Sequence, residues 1–259
     1  MRLLAAAILL AVGAAPAAAQ QSIGTADLAT VSKRGAQLYA FDQAAWHSTD
    51  SMLAKALPQE TMQAIRGWVV EPSEDLLRVT YYGFAGTTPY AIYIADIRDG
   101  KVVGDRVPGQ DGRALSARGV RMAAAASVAR TQSFPRCVDR PFNTVILPPE
   151  RDGTVPVYLL TPMTKAGEYP FGGHHEVDVG PDGTVIGTRD FSRACLPMQA
   201  PPDSAMLFIT HLLDPQPTEL HVYLSLWSGK AVAVGTGGDR IWEVSGTRIA
   251  PMEGKPQVK

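Results

Sequence analysis

Two patterns of apolar residues divide the chain, one helical near the N-terminus and one strand-like through most of the rest. From Lys33 to Leu57, apolar side chains recur three, four or seven positions apart, which is typical of an amphipathic helix lying on a core. Ser116 can cap a second, alanine-rich helix from Ala117 to about Thr131. Both helices are expected to pack against β-sheet.

The other apolar runs are short and are separated by turn-forming residues, as in strands joined by hairpins. Asp99-Gly100 is the strongest hairpin signal, and Gly180 to Gly183 supplies a second turn. The predicted strands are Trp68–Glu71, Leu76–Tyr82, Tyr90–Ile97, Lys101–Val107, Phe142–Leu147, Val155–Thr161, His174–Val179, Thr184–Phe191, Met206–His211, Leu220–Trp227, Ala231–Gly235 and Arg240–Ser245.

This order of elements predicts an α+β fold, with antiparallel sheet covered by the two helices, because helices do not alternate regularly with strands. The chain changes at about Gln132 from mixed helix and strand to almost pure strand, so a division there stays open. We favour a single domain over residues 20–259, since a bond between Cys137 and Cys195 would tie this region to the later strands.

The first nineteen residues have the pattern of a secretory signal peptide. Arg2 precedes an apolar core from Leu3 to Val12, and small residues at Ala17 to Ala19 offer a cleavage site. Beyond this segment no apolar stretch approaches the roughly 18 residues of a membrane-spanning helix. The mature chain is therefore expected in the periplasm or outside the cell, without a transmembrane segment.

Charge and cysteine content narrow the expected partners and chemistry. The formal net charge of -1 gives no reason to expect nucleic acid or an anionic membrane as partner. The two cysteines, Cys137 and Cys195, are expected to form a disulfide in an oxidising compartment. Two free thiols or a redox pair are the alternatives, although the C-x-x-C spacing of redox sites is missing.

Four histidines lie close together in sequence and suggest a metal site. His174, His211 and His221 are the candidate zinc ligands, with Glu176 as the general base of a hydrolase. No known zinc template fits their spacing, and histidines at strand ends commonly bond to backbone carbonyls or carboxylates. A nucleophile elbow of the Gly-x-Ser-x-Gly type does not occur either.

Side-chain alternation along the strand that follows Gly173 assigns its residues to two faces. His175 shares a face with Val177 and Val179, so we expect it to point inward. His174 and Glu176 share the opposite face, which we expect to be the wetter one.

Aromatic residues favour a second class of function. Tyr82, Phe84 and Tyr90 flank a glycine- and proline-containing loop that would form a binding lip if their rings were exposed. The alternative is that these rings pack against the first helix. Exposed rings would suit a non-catalytic binder of sugars, peptides or partner proteins.

The segment from Pro156 to Gly246 contains the runs VPVYLLTPM, YPFGGHHEVDVGPDGTVIG, ELHVYLSLWSGKAVAVGT and IWEVSG. With these runs, the C-terminal third of the chain resembles an uncharacterised family of exported bacterial proteins. The resemblance implies export and the order of strands, and it brings no activity or catalytic residue. The sequence thus favours a non-catalytic binding module for a protein or cell-envelope component without a cofactor; a zinc-dependent hydrolase is the alternative.

Overall fold

The structure is a computed structural model that describes residues 27–252, so the predicted signal peptide lies outside the described residues. Its helices are α1 (Leu28–Ala54), α2 (Gln59–Ala64), α3 (Ala117–Arg130) and α4 (Glu219–Ser228), with a short 3-10 turn at Gln110–Gly112. Its strands are β1 (Gly67–Ser73), β2 (Leu76–Ala85), β3 (Thr88–Arg98), β4 (Lys101–Arg106), β5 (Asn143–Ile146), β6 (Val155–Leu160), β7 (Glu168–Pro170), β8 (His175–Val179), β9 (Val185–Asp190), β10 (Pro197–Gln199), β11 (Met206–Thr210), β12 (Ala231–Thr236), β13 (Arg240–Ser245) and β14 (Arg248–Pro251). The architecture is α+β, as predicted.

Two antiparallel meanders form the larger part of the protein. Strands β1 to β4 pair in sequence order, and β5, β6, β8 and β9 form the second sheet. The turn between β3 and β4 has positive φ at both Asp99 (49°) and Gly100 (72°), the geometry that Asp-Gly hairpins favour. The hairpin of β8 and β9 closes at Gly183 with φ 83°. Both predicted hairpins are confirmed.

Helix α3 packs between the two meanders. Ser116 caps it by accepting a hydrogen bond from the Gly119 N–H at 2.9 Å, as predicted. Its alanines let it approach both sheets closely, because they add no bulk, and Met122 is fully buried among strand residues such as Val69 and Val157. These contacts join segments on both sides of Gln132.

The C-terminal sheet contains the main error in the predicted elements. Residues Leu220–Trp227 were expected to form a strand, but they belong to helix α4. This helix connects β11 to β12, and the two strands pair in parallel because a helical crossover returns the chain in the same direction. Strands β12, β13 and β14 then pair antiparallel. The short β7–β10 pair was also not predicted.

Helices α1 and α4 lie together on the face of the second sheet opposite α3. Leu38 and Phe41 of α1 and Val222 of α4 are buried in one apolar cluster with Tyr158 and Leu160 of β6. The second sheet is therefore covered on both faces. Among residues 27–252, no helix combines the length and apolar character needed to cross a membrane.

Gly35 is a point of close approach between α1 and α4. A Cβ atom at Gly35 would lie 2.5 Å from the Glu219 carbonyl oxygen and 2.5 Å from the Val222 Cβ. Gly35→Ala should therefore lower the free energy of unfolding by about 1–3 kcal/mol through overpacking. This would occur although alanine favours an isolated helix by about 1 kcal/mol over glycine. Urea unfolding followed by circular dichroism measures the change.

Gly119→Ala in α3 is the matched control for this substitution. Its Cβ would meet the Glu71 Oε2 atom at 3.1 Å, which is the movable end of a side chain rather than backbone. Gly119→Ala should leave the free energy of unfolding unchanged or raise it. Equal losses in both variants would show that the α1–α4 approach is not sterically tight.

Candidate functional site

Strand β8 is almost entirely buried on both faces, whereas one of its faces was expected to be wetter. His175 points inward and is 2% exposed, as predicted. His174 (1% exposed) and Glu176 (4%) were expected on a wetter face, and this was wrong. The reason is tertiary: helices α1 and α4 cover that face, as described above.

Three histidines from separate segments line one cavity, here called the histidine cavity, of about 350 Å³. His174 precedes β8, His211 follows β11 and His221 lies in the first turn of α4. The rings of His211 and His221 meet edge to face with centroids 4.7 Å apart. The three predicted metal ligands are thus brought to a common cavity.

Hydrogen bonds fix the orientation of these rings. The Nδ1 atom of His174 accepts from the Thr161 N–H at 3.1 Å, and its Nε2 atom donates to the Pro170 carbonyl at 2.7 Å. The Nδ1 atom of His221 accepts from the Thr218 N–H at 2.9 Å, which caps α4. His211 uses Nε2 to contact the Asp214 carboxylate at 2.7 Å.

This arrangement does not favour the zinc hydrolase. Within the described part of the chain, no three His, Cys, Asp or Glu side chains are placed to hold a metal ion. Both nitrogens of His174 already have protein partners, whereas a zinc ligand needs a free lone pair about 2.1 Å from the metal. Glu176, the expected base, is not among the residues that line the cavity.

Burial keeps two of the histidines neutral. Desolvation lowers the pKa of His174 to about 4 and that of His221 to about 3. At neutral pH these imidazoles are therefore hydrogen-bonding groups without charge, and the interior of the cavity carries no positive charge from them.

Most of the remaining lining is apolar, and the rim is exposed. Leu212 (75% exposed) and Leu196 (40%) lie at the rim, together with the exposed side chain of Arg193. The apolar side chains that line the cavity are Phe171, Phe191, Ala194, Leu196, Ile209, Leu212, Leu213, Leu220 and Leu224.

The predicted disulfide is formed and borders this rim. Cys137 and Cys195 are bonded with an S–S distance of 2.07 Å and a sequence separation of 58. Ala194 and Leu196, on either side of Cys195, both line the cavity. The bond therefore anchors the rim loop to the segment that follows α3.

A buried network of charged groups lies next to the cavity and was not predicted. Arg34 on α1 contacts Glu176 at 3.4 Å and Glu219 at 3.9 Å, and Tyr158 donates to Glu219 at 2.9 Å. Arg189 links Glu219 (3.5 Å) to Asp214 (2.8 Å).

Desolvation and the neighbouring Glu219 carboxylate raise the pKa of Glu176 to about 8. Burial raises the pKa of Asp214. Hydrogen bonds from His211 and Arg189 outweigh this effect and bring the pKa below its usual range. Because Asp214 also contacts His211, it joins the network to the cavity wall.

The predicted aromatic lip has a different environment. Tyr82 is fully buried against α3, and Phe84 packs on it edge to face at 5.5 Å. Tyr90 is half-buried, with the Arg113 guanidinium 5.8 Å from its ring centroid. Tyr82 and Phe84 pack against α3 rather than against the first helix, and Tyr82 is not available to a ligand.

Comparisons of the chain with protein-family models, with curated proteins and with solved structures give no match. The function is therefore argued from the chemistry of the cavity itself, which is the level at which function is defined in any case.

Proposed function

We propose that this chain is an exported, non-catalytic binding protein that holds a lipid-like component of the cell envelope in the histidine cavity. The observation that carries the proposal is an apolar cavity with an arginine at its rim. Its volume of about 350 Å³ lies within the range of small-molecule sites, roughly 300–1,000 Å³. An apolar chain would fill the interior, and an anionic head group would lie near Arg193.

The neutral histidines fit this ligand class. A charged interior would disfavour an apolar chain, whereas the neutral imidazoles of His174 and His221 tolerate it. The Cys137–Cys195 bond supports an oxidising compartment, in agreement with the predicted export.

The test is displacement of the fluorescent anionic probe anilinonaphthalene sulfonate by decanoate and by decanol. Leu212→Glu at the exposed rim should weaken both ligands, because it places a charge in the path of the chain. Arg193→Glu should weaken decanoate about tenfold, as expected for about 1.4 kcal/mol, and leave decanol nearly unchanged.

Arg118→Glu is the matched control, since Arg118 is an exposed arginine on α3 that does not line the cavity. It makes the same change in net charge and should not alter either affinity. Absence of saturable decanoate binding, or equal effects of the two arginine variants, would contradict the proposed function.

A further inference from the structure

A second cavity, lined by tryptophan rings, lies between α1, β1, α4 and the loop after β6. It has a volume of about 470 Å³ and is lined by Trp46, Trp68 and Trp227. The chain has four tryptophans, so three of them meet at this cavity, which we call the tryptophan cleft. The histidine cavity shares none of its lining residues.

The tryptophans that line the cleft differ in exposure and in their contacts with other rings. Trp46 is 60% exposed, which is unusual for so large an apolar ring. Trp227 is held edge to face by Tyr169 at 5.3 Å and also contacts Tyr223 at 5.5 Å. Trp68 and Trp227 are partly buried and also pack against the apolar core, so Trp46 is the most exposed ring that lines the cleft.

The carboxyl group of Asp42 lies at the base of the cleft, where it is 7% exposed. Tyr223 donates its hydroxyl to one oxygen at 3.0 Å, and the Asn143 amide donates to the other. These partners are neutral, and no ion pair among residues 27–252 includes Asp42. Buried carboxylates are ordinarily paired with a cation, so the charge of Asp42 lacks its usual complement.

The charges of the lining residues indicate which class of ligand the tryptophan cleft can bind. Among the described residues that line the tryptophan cleft, Asp42 is the sole Asp or Glu, and Lys, Arg and His are missing. An anion would find no positive group there. Aromatic faces and a carboxylate both attract a weakly hydrated cation, and surrounding tryptophans are a recurrent means of binding quaternary ammonium groups.

We propose that the tryptophan cleft binds an organic cation of the quaternary ammonium class. Trp46, Trp68 and Trp227 supply the cation–π contacts. Asp42 acts as the counter-ion, and a bound cation favours its ionised form, against the burial that otherwise raises its pKa.

Isothermal titration calorimetry with tetramethylammonium, choline and dimethylbutanol, the neutral carbon analogue of choline, tests this proposal. Both cations should bind at millimolar concentration, and dimethylbutanol should bind about tenfold or more weakly. Trp46→Ala should weaken choline by roughly 3- to 30-fold, as loss of one cation–π contact predicts. Because Trp46 is 60% exposed, Trp46→Ala should leave the fold intact.

Asp42→Asn removes the charge and should reduce the preference for choline over dimethylbutanol, leaving the part that the cation–π contacts supply. Trp242→Phe is the control, because Trp242 is the fourth tryptophan and lies outside the cleft. Its choline affinity should equal that of the wild type. Equal binding of choline and dimethylbutanol, no binding of either cation, or binding of a monosaccharide in their place would overturn the proposal.

Discussion

Replacing both Cys137 and Cys195 by serine is expected to lower the free energy of unfolding by about 4 kcal/mol. The bond closes a loop with a sequence separation of 58, and on the chain-entropy model such a loop contributes about this amount. For a domain of this size the loss corresponds to a fall in Tm of about 10 °C. Thermal unfolding of the oxidised wild type and the double variant measures it.

The disulfide also has a predicted effect on binding, because Cys195 lies between the rim residues Ala194 and Leu196. Decanoate affinity should fall in the double variant under conditions where it remains folded. Reductant should shift the wild type to the stability of the variant and should leave the variant itself unchanged. A Tm that is insensitive to both reduction and substitution would show that packing alone fixes this loop.

Elements with their own local signals were predictable from the sequence. Asp99-Gly100 adopts the positive φ values that its residue types favour, and Ser116 caps α3 through its hydroxyl. In both places the structure depends on a few adjacent residues. Where the local preference is this strong, long-range contacts have little influence on the backbone conformation.

Helix α4 was missed because its burial removes the pattern that identifies a helix. Every residue from Glu219 to Ser225 is buried, so no polar face marks a period of 3.6 residues. The terminal signals were present nonetheless. Thr218 and His221 form a capping box, and Gly229 ends the helix in the left-handed region with φ 65°.

The candidate site was predictable only in part, because some of its contacts join residues that lie far apart in the chain. His174, His211 and His221 were identified as a set, and they do line one cavity. Arg34 could not be linked to Glu176, since 142 positions separate them in the chain and only the packing of α1 over β8 brings them together. The burial that raises the pKa of Glu176 likewise depends on tertiary packing, because helices α1 and α4 cover that face of β8.

Stability should fall as pH rises from about 4.5 to about 8, because of Glu176. Its pKa is 4.5 as a free side chain and is raised to about 8 by desolvation and by the carboxylates of Glu219 and Asp178, against the attraction of Arg34. Between these values the folded chain holds a proton that the unfolded chain releases. This contribution is fully present below about pH 4.5 and is lost as the pH passes through about 8.

Glu176→Gln should therefore stabilise the protein at about pH 8 by a few kcal/mol and change it little at about pH 5, since glutamine resembles the protonated acid. Urea unfolding at both pH values gives the difference. Glu150→Gln is the matched control: Glu150 also contacts Arg34, but its side chain is 43% exposed, so its loss should cost less than about 1 kcal/mol at either pH. If Glu176→Gln instead destabilises the protein at about pH 8, the ion pair with Arg34 outweighs the cost of burying the carboxylate, and the network is a source of stability there.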